Sequence, residues 1–249
     1  MKNIELITVQ EAKALVSKIL ELEPMWRERS SYYSEAGTVS TAYPEFYTIG
    51  SAVYLDGPSA HKDNDNNVIS ANFSGIIDKV AKTLESVLDT KVFLDAEYSS
   101  PGFHIFRGRE GMQFGTSYGG SIHIDTPHIT AEFPFDFNID KPITFTLVLQ
   151  MPKEGGGMNY WLKDEVLEQI SEGTDSTNIS SLYDYLPMQF RAWVDINKKH
   201  EEYKVGTLYI HDGQTLHQVA NEVATTEEDL RVTLQGHGVY RKEGLMIYL

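Results

Sequence analysis

Two side chains of metal-binding type stand two residues apart near the middle of the sequence. His123 and Asp125 fall in the segment Ser121 to Asp125, whose composition predicts a β-strand. Side chains two apart in a strand project from the same face, so this imidazole and this carboxylate can share a metal ion. The His-x-Asp pair alone is weak evidence, because a chain with 8 histidines and many aspartates matches it readily by chance.

A third ligand and an arginine follow downstream. His217 comes after a predicted strand and turn, and Arg231 and Thr233 come after a further turn. Two histidines and a carboxylate form a facial triad, which leaves metal positions open for a bidentate cosubstrate and oxygen. Arg231 can bind the distal carboxylate of a dicarboxylic cosubstrate, and Thr233 can add a hydroxyl from the same face. The ordered set is much more specific than any one of its parts.

Several polar residues near these motifs have both structural and functional interpretations. Thr144 and Thr146 alternate with apolar residues, so Thr146 is a candidate for contact with the cosubstrate, although threonine is also a good strand residue. His104 lies in an apolar run and is expected to be a hydrogen-bonded core histidine. Three further histidines are expected to serve as outer or structural groups rather than as ligands: His128, His211 and His237.

The composition narrows the class of protein. The 249 residues are 41% hydrophobic, 11% aromatic and 23% charged, so one domain can bury a sizeable core. There are no cysteines, which excludes thiolate catalysis and leaves only nitrogen and oxygen ligands for a metal. The net charge of -15 disfavours nucleic acid as a partner and would suit a small-molecule substrate that carries an ammonium or guanidinium group.

No segment of the sequence predicts export or membrane insertion. The apolar run between Met1 and Gln10 is broken by Glu5, which makes it too short and too polar for the core of a signal peptide. No stretch approaches the length of a membrane-spanning helix. We therefore expect a cytoplasmic protein without a membrane partner.

Helices and short strands are predicted to position the candidate residues. The capping-box pair Thr8 and Glu11 begins a helix that ends by Pro24, and a second helix begins near Ser74. The stretch rich in Asn and Asp from Lys62 to Asn67 is typical of an exposed loop. Runs rich in β-branched and aromatic residues predict strands at Phe46 to Leu55, Lys91 to Glu97, Phe103 to Arg107, Ser121 to Asp125, Ile143 to Met151, Phe190 to Ile196, Gly206 to His211 and Arg231 to Gly238.

The predicted elements favour one domain, residues 1–249, that is mainly β with flanking helices. Because the strands do not alternate with long helices, we expect a double-stranded β-helix of the jelly-roll or cupin-like kind rather than a parallel β/α fold. Residues 1–90 are expected to form a helical N-terminal support, and residues 91–249 the β-helix core. The polar stretch at about 163–186 predicts an inserted helix and loop.

The order of these motifs resembles the Fe(II)/2-oxoglutarate-dependent oxygenase superfamily. Within it, the chain is similar from about Phe46 to Tyr240 to the branch of free amino-acid (lysine-type) hydroxylases and radical halogenases. The segments that carry the narrower similarity are Phe46 to Gly50, Pro101 to Phe106, Ser121 to Asp125, Gly156 to Trp161 and Arg231 to Gly238.

The resemblance implies a set of ligands and a reaction. Iron(II) would be held by His123, Asp125 and His217, and 2-oxoglutarate would be bound by Arg231. Oxidative decarboxylation of 2-oxoglutarate with O2 would release succinate and CO2, coupled to hydroxylation of an aliphatic C–H bond in an amino-acid-like substrate. Halogenases of this branch have a small residue in place of the metal-binding carboxylate, so Asp125 favours hydroxylation over halogenation.

The substrate is less well determined by the sequence. Several lysine-specific members of the branch have another histidine just before the metal histidine, whereas Tyr118, Gly119 and Gly120 stand there in this chain, which puts lysine itself in doubt. The candidates for substrate contact are Tyr118, Asn159, Trp161, Glu97 and Arg107.

Other functions share some of these motifs. A jelly-roll protein could keep the metal site without catalysis, although Arg231 and Thr233 would then have no evident role. Two histidines and a carboxylate also suit a zinc hydrolase, but the sequence has no His-Glu-x-x-His helix. Desaturation, cyclisation and halogenation remain alternatives within the oxygenase class.

Overall fold

The computed structural model describes residues 1–29, 45–52, 56, 62–107, 113–114, 122–131, 133–166, 188–220, 222–223 and 229–249. The helices are α1 (Val9–Glu21), α2 (Lys62–Leu88), α3 (Pro127–Thr130) and α4 (Met188–Asn197). The strands are β1 (Lys2–Glu5), β2 (Arg27–Glu28), β3 (Glu45–Ile49), β4 (Val92–Phe93), β5 (Gly102–Arg107), β6 (Gln113–Phe114), β7 (Asn138–Gln150), β8 (Glu154–Gly155), β9 (Met158–Tyr160), β10 (Lys199–Glu201), β11 (Thr207–Asp212), β12 (His217–Val219), β13 (Glu222–Val223), β14 (Leu230–Arg241) and β15 (Gly244–Tyr248).

One large sheet supports the rest of the fold. Its strands run in the order β1-β11-β7-β14-β5-β3-β2, and all of these neighbours are antiparallel. The long strands β7 and β14 lie side by side at its centre. Strand β15 pairs with the far end of β14, on the edge that β5 leaves uncovered, and also pairs in parallel with β4.

Two smaller sheets are present among the described residues. One has the order β10-β9-β12, and the segment at His123 extends it through an isolated bridge to His217. Another has the order β6-β13-β8. The large sheet meets the first of these where the rings of His211 in β11 and His217 in β12 lie 5.0 Å apart. Two facing antiparallel sheets of this kind form a double-stranded β-helix.

The helices α1 and α2 cover the opposite face of the large sheet. Because strand side chains alternate between faces, every second residue of β5, β7, β11 and β14 points toward these helices. Along the middle of these strands those residues are buried and apolar, and they form one core with the helices that includes Val16, Ile19, Phe73, Val80, Leu84, Phe103, Ile105, Phe145, Leu147, Leu208, Val232 and Leu234. The face turned away from the helices is therefore left for polar residues.

The predicted helices are present, with one correction to their bounds. Thr8 caps α1, since its side chain accepts from the N–H of Glu11 and the Glu11 side chain accepts from the N–H of Thr8. The second helix begins at Lys62 rather than near Ser74, so the loop predicted at Lys62 to Asn67 is wrong. Tertiary hydrogen bonds explain the difference: Asn66 donates to the carbonyl of Tyr98 and accepts from the N–H of Ser100.

Strand prediction was wrong at one place and inexact at others. Residues Phe190 to Ile196 lie in helix α4, in which Val194 packs against Trp161; a short run of β-prone residues does not distinguish a strand from a buried helix. Strand β3 ends at Ile49 because Gly50 follows with a φ of 105°. The segment 122–125 makes only the bridge at His123, and β4 spans only Val92–Phe93.

The N-terminal part contributes more than helices, because β1, β2 and β3 all join the large sheet. Residues 163–166 are helical, and the remainder of the predicted insertion lies outside the described residues. Among the described helices, none is long and apolar enough to cross a membrane.

Candidate metal centre and cosubstrate pocket

His123, Asp125 and His217 converge at the edge between the two facing sheets. Their ligand atoms all lie within 4.8 Å of one another. Asp125 Oδ1 is 3.9 Å from Nε2 of His123, and Asp125 Oδ2 is 3.7 Å from Nε2 of His217. Two atoms that each lie about 2.1 Å from one metal are at most about 4.2 Å apart, so each histidine is close enough to share an ion with the Asp125 oxygen nearest to it.

Backbone hydrogen bonds explain why the three side chains meet. The N–H of His123 donates to the carbonyl of His217 and the N–H of His217 donates back, each at 2.9 Å. Directly opposed residues of an antiparallel pair present their side chains on the same face. The N–H of Asp125 donates to the carbonyl of Gly213 at 2.9 Å, which fixes the third ligand.

A hydrogen bond on the side away from the metal site fixes the orientation of the His217 ring. Its Nδ1 lies 2.9 Å from the carbonyl of Thr215, which can only accept, so Nδ1 carries the proton and Nε2 offers its lone pair to the site. His217 is nearly closed off, with a side chain 9% exposed, whereas the His123 side chain is 33% exposed. The site therefore opens to solvent on the His123 side.

A polar network lies behind Asp125. The hydroxyl of Thr144 donates to Asp125 Oδ2 at 2.8 Å, and Nδ1 of His237 lies 3.2 Å from the same hydroxyl oxygen. His211 is buried beside His217, and its Nδ1 donates to the carbonyl of Asp212 at 2.9 Å. These contacts agree with the outer roles predicted for His211 and His237.

Protonation of the site suits metal binding. Burial would raise the pKa of Asp125, but the surrounding histidines, His217 first and then His237 and His123, outweigh it and hold that pKa below its usual range. Burial lowers the pKa of His217, and Asp125 opposes this only in part. A neutral imidazole and an ionised carboxylate are the forms that coordinate metals.

The donor set of the site fits a particular group of metals. Two imidazole nitrogens and one carboxylate oxygen, with room for further ligands on the open side, match the triad that non-haem iron(II) enzymes use. The same donors also bind zinc, so the triad alone leaves the metal undecided.

A row of polar residues leads from the triad into the interior between the sheets. Along β14, Arg231, Thr233, Gln235 and His237 occupy alternate positions, and His237 is paired with Thr144 of β7. They therefore share the face that carries the network behind Asp125. Arg231 is 5% exposed, and its guanidinium carbon lies 5.3 Å from the centre of the Phe106 ring.

Thr233 and Thr146 lie along the same row. Thr233 accepts from the amide of Gln235 at 2.9 Å, and Gln235 is paired with Thr146 across the β14 and β7 strands. Both threonines are buried, at 0% and 6% exposed. All three residues that the sequence predicted for the cosubstrate, Arg231, Thr233 and Thr146, thus line one interior face together with the outer partners of the metal ligands.

The predicted core histidine is present at His104. It is 6% exposed, its ring meets that of Phe46 edge to face at 5.2 Å, and it is paired with Thr233 across β5 and β14. Burial, reinforced by the positive charge of Arg231, lowers the pKa of His104 to about 3. His128 is likewise buried, and burial lowers its pKa.

Two of the predicted substrate contacts lie on the face of the small sheet opposite to that of His217. Asn159 bonds to Gln218 at 3.0 Å, and Trp161 donates its indole N–H to the carbonyl of Val194 at 2.8 Å. Trp161 is 1% exposed and packs with Leu216 on the outer side. Because side chains alternate along a strand, both residues point away from His217, and we leave them out of the proposed site.

Of the remaining candidates, two lie in the described part of the chain and one does not. Arg107 lies on the helix-facing side of β5, where it pairs with Glu23 at 2.7 Å and lies 4.9 Å from the Trp26 ring centre. Glu97 is exposed in the connection after β4. Tyr118 lies outside the described residues.

Tyr160 is the interior residue that sequence reasoning missed. It stands directly opposite His217 across β9 and β12, so the two side chains share the inner face. Because side chains alternate along a strand, the sequence does show that Tyr160 faces the opposite way from Asn159 and Trp161. It does not show which of these two faces points inward, because that depends on the strand register.

Comparisons with known proteins agree with this fold. A scan against protein-family models finds no match, and a search of curated proteins finds none either. Among solved structures, the chain is similar to the epimerase SnoN in complex with Fe3+, alpha-ketoglutarate and nogalamycin RO, with a TM-score of 0.52 and 12% identity over 94% of this chain and 77% of that one. It is also similar to an N-substituted L-amino acid dioxygenase from Burkholderia ambifaria AMMD, with a TM-score of 0.50 and 13% identity over 99% of this chain and 85% of that one.

The chain thus has the double-stranded β-helix fold of 2-oxoglutarate-using enzymes, and the predicted fold class, mainly β and cupin-like, is confirmed. At identities this low the similarity concerns the fold.

Proposed function

We propose that this chain is an Fe(II)- and 2-oxoglutarate-dependent dioxygenase that hydroxylates an aliphatic C–H bond of a small amino-acid-like substrate. The observation that carries the proposal is the convergence of His123, Asp125 and His217, with ligand atoms within 4.8 Å of one another. The polar row that ends at Arg231 supports it, because a plain metal site needs no buried arginine.

Each proposed site residue has a distinct task. His123, Asp125 and His217 would hold the iron, which when bound supplies the oxygen chemistry that protein side chains lack. Arg231 would bind the distal carboxylate of 2-oxoglutarate as a charge-assisted pair, and Thr233 and Thr146 offer hydroxyls along the same face. Burial of Arg231 strengthens such a pair, because little water competes for the guanidinium.

Asp125 supports hydroxylation over halogenation. The halogenases that the sequence resembles have a small residue at the position of the carboxylate, which leaves a metal position for chloride. In this chain the carboxylate is present and ionised, and it accepts a hydrogen bond from Thr144, while the backbone N–H of Asp125 donates to Gly213.

An amino-acid-like substrate is supported by the resemblance of the sequence to the amino-acid branch and by the similarity of the fold to an N-substituted L-amino acid dioxygenase. The substrate would enter on the His123 side, which is the more exposed side of the triad. Tyr160 is the described residue best placed to contact it, because it faces inward opposite His217.

Succinate release tests the proposal. Purified protein with Fe(II), ascorbate, O2 and 2-oxoglutarate is screened against a panel of cationic, neutral and N-substituted amino acids. We expect stimulation of succinate release by at least one of them, loss of that activity in His217→Ala, and its retention in His200→Ala. His200 is a matched control, because it is exposed on the outer side of the small sheet and bonds to Asn159.

The outcomes separate the alternatives. If succinate is released but no amino acid stimulates its release, the proposed substrate class is contradicted. The proposed use of Fe(II) and 2-oxoglutarate is not. Turnover of any substrate that survives removal of oxygen would favour a zinc hydrolase instead.

A further inference from the structure

A chain of two hydrogen bonds connects Asp125 to the centre of the large sheet. Thr144 Oγ1 is 2.8 Å from Asp125 Oδ2 and 3.2 Å from Nδ1 of His237. Both supporting residues are buried, Thr144 at 7% exposed and His237 at 9%. They stand opposite each other on the two central strands β7 and β14, so the sheet fixes their positions.

The number of hydrogens available fixes the direction of both bonds. A threonine hydroxyl has a single hydrogen, and an ionised carboxylate can only accept. The Thr144 hydrogen therefore points to Asp125, and the hydrogen between Thr144 and His237 must come from Nδ1 of His237. The structure thus requires His237 to carry a proton on Nδ1.

We propose that Thr144 and His237 are positioning residues that fix the rotation of the Asp125 carboxylate about its Cβ–Cγ bond. Rotation would change which oxygen lone pairs face His123 and His217. The inference rests on the proposed function, since it concerns how the chain presents its carboxylate to the proposed iron. Thr144 and His237 both act through Asp125 and are not proposed to touch substrate.

The arrangement has a consequence for the open metal positions. Without the Thr144 hydroxyl, Asp125 Oδ2 would lose its hydrogen-bond donor and be free to compete with a bidentate cosubstrate for a metal position. Outer hydrogen-bond partners of metal ligands typically change metal affinity or activity by about 10- to 100-fold when they are removed. Thr144 and His237 are expected to fall in that range.

Thr144→Val tests the inference, because valine keeps the shape of threonine and lacks the donor, and Thr144→Ser is the matched control that keeps the hydroxyl. Affinity for Co(II) is measured by its visible spectrum in the otherwise intact protein. We expect Thr144→Val to weaken Co(II) binding about 10- to 100-fold and to change the cobalt spectrum, whereas Thr144→Ser stays close to the wild type. Equal affinity and identical spectra in all three proteins would overturn the inference.

A double-mutant cycle tests the second link. If His237 acts only through Thr144, His237→Phe weakens Co(II) binding in the wild type and adds little to Thr144→Val. Full additivity of the two effects would contradict a relay.

The proton position can be read without any variant. Nitrogen-15 NMR of the Zn(II)-loaded wild-type protein is expected to show His237 protonated at Nδ1, and protonation only at Nε2 would overturn the inference even if the variants failed to fold. A wild-type protein that binds neither Co(II) nor Zn(II) would instead contradict the proposed metal site itself.

Discussion

His123 and His217 exchange both of their backbone hydrogen bonds, each 2.9 Å long, although far apart in sequence. This bridge brings two proposed ligands to one face of the small sheet, and Asp125 reaches the same face two residues later. The positions of His123 and His217 thus depend on strand pairing, whereas Asp125 is held by its backbone bond to Gly213 in the turn before β12.

Removal of one ligand should abolish metal retention. In His217→Ala, two ligands remain, and we expect Fe(II) or Co(II) affinity to fall by more than the roughly 100-fold typical of losing an outer partner. Metal content after gel filtration, measured by elemental analysis, checks this. The same metal content in the variant and the wild type would refute the assignment of His217.

Replacement of Arg231 should weaken the binding of 2-oxoglutarate and leave metal binding unchanged. Arg231→Gln removes the charge-assisted bonds proposed for 2-oxoglutarate, so the dissociation constant of 2-oxoglutarate should rise by about 10- to 100-fold. Isothermal titration calorimetry of the metal-loaded protein measures this dissociation constant. Arg107→Gln is the matched control, because Arg107 lies on the helix-facing side of β5, and a similar loss there would remove the distinction between the two arginines.

Stability should fall in mild acid partly because of His104. Its pKa is lowered to about 3 in the folded protein, so the fold holds it neutral while the unfolded chain takes up a proton below about pH 6.5. The folded state is therefore favoured above pH 6.5 and loses about 2 kcal/mol from this residue by pH 5. Urea unfolding above pH 6.5 and at pH 5 should show a smaller loss of stability in His104→Gln than in the wild type. Equal losses in the two proteins would contradict the low pKa assigned to His104.

The cap of α1 should contribute to stability without affecting the site. Thr8→Ala removes the hydroxyl that accepts from the Glu11 N–H and should lower the free energy of unfolding by about 1 kcal/mol. Metal affinity should be unchanged, since α1 packs on the opposite face of the large sheet. Chemical denaturation and Co(II) titration check the two statements, and a shift in Co(II) affinity would show that the helices and the site are coupled.

Local patterns predicted what depends on local interactions. The capping box at Thr8, the strand at Gly102–Arg107 and the grouping of Arg231 with Thr233 all follow from spacing within a few residues. The triad could also be predicted, because its members are of a rare type and stand in a recognisable order.

Long-range contacts explain what the sequence did not predict. Asn66 belongs to a helix because it bonds to the chain at Tyr98 and Ser100, and Val194 lies in a helix that packs on Trp161. The inward position of Tyr160, rather than of Asn159, depends on the pairing of β9 with β12. The roles of Thr144 and His237 follow from the pairing of β7 with β14, which no local pattern reveals.

Anaerobic addition of 2-oxoglutarate to the Fe(II)-loaded protein, followed by visible absorption, tests directly whether this chain binds the metal and the cosubstrate together. We predict a weak charge-transfer band that saturates with 2-oxoglutarate, is absent in His217→Ala, and needs much more 2-oxoglutarate in Arg231→Gln than in Arg107→Gln. A wild-type protein that binds Fe(II) and develops no such band at any 2-oxoglutarate concentration would contradict the assignment of this chain as a 2-oxoglutarate-dependent oxygenase.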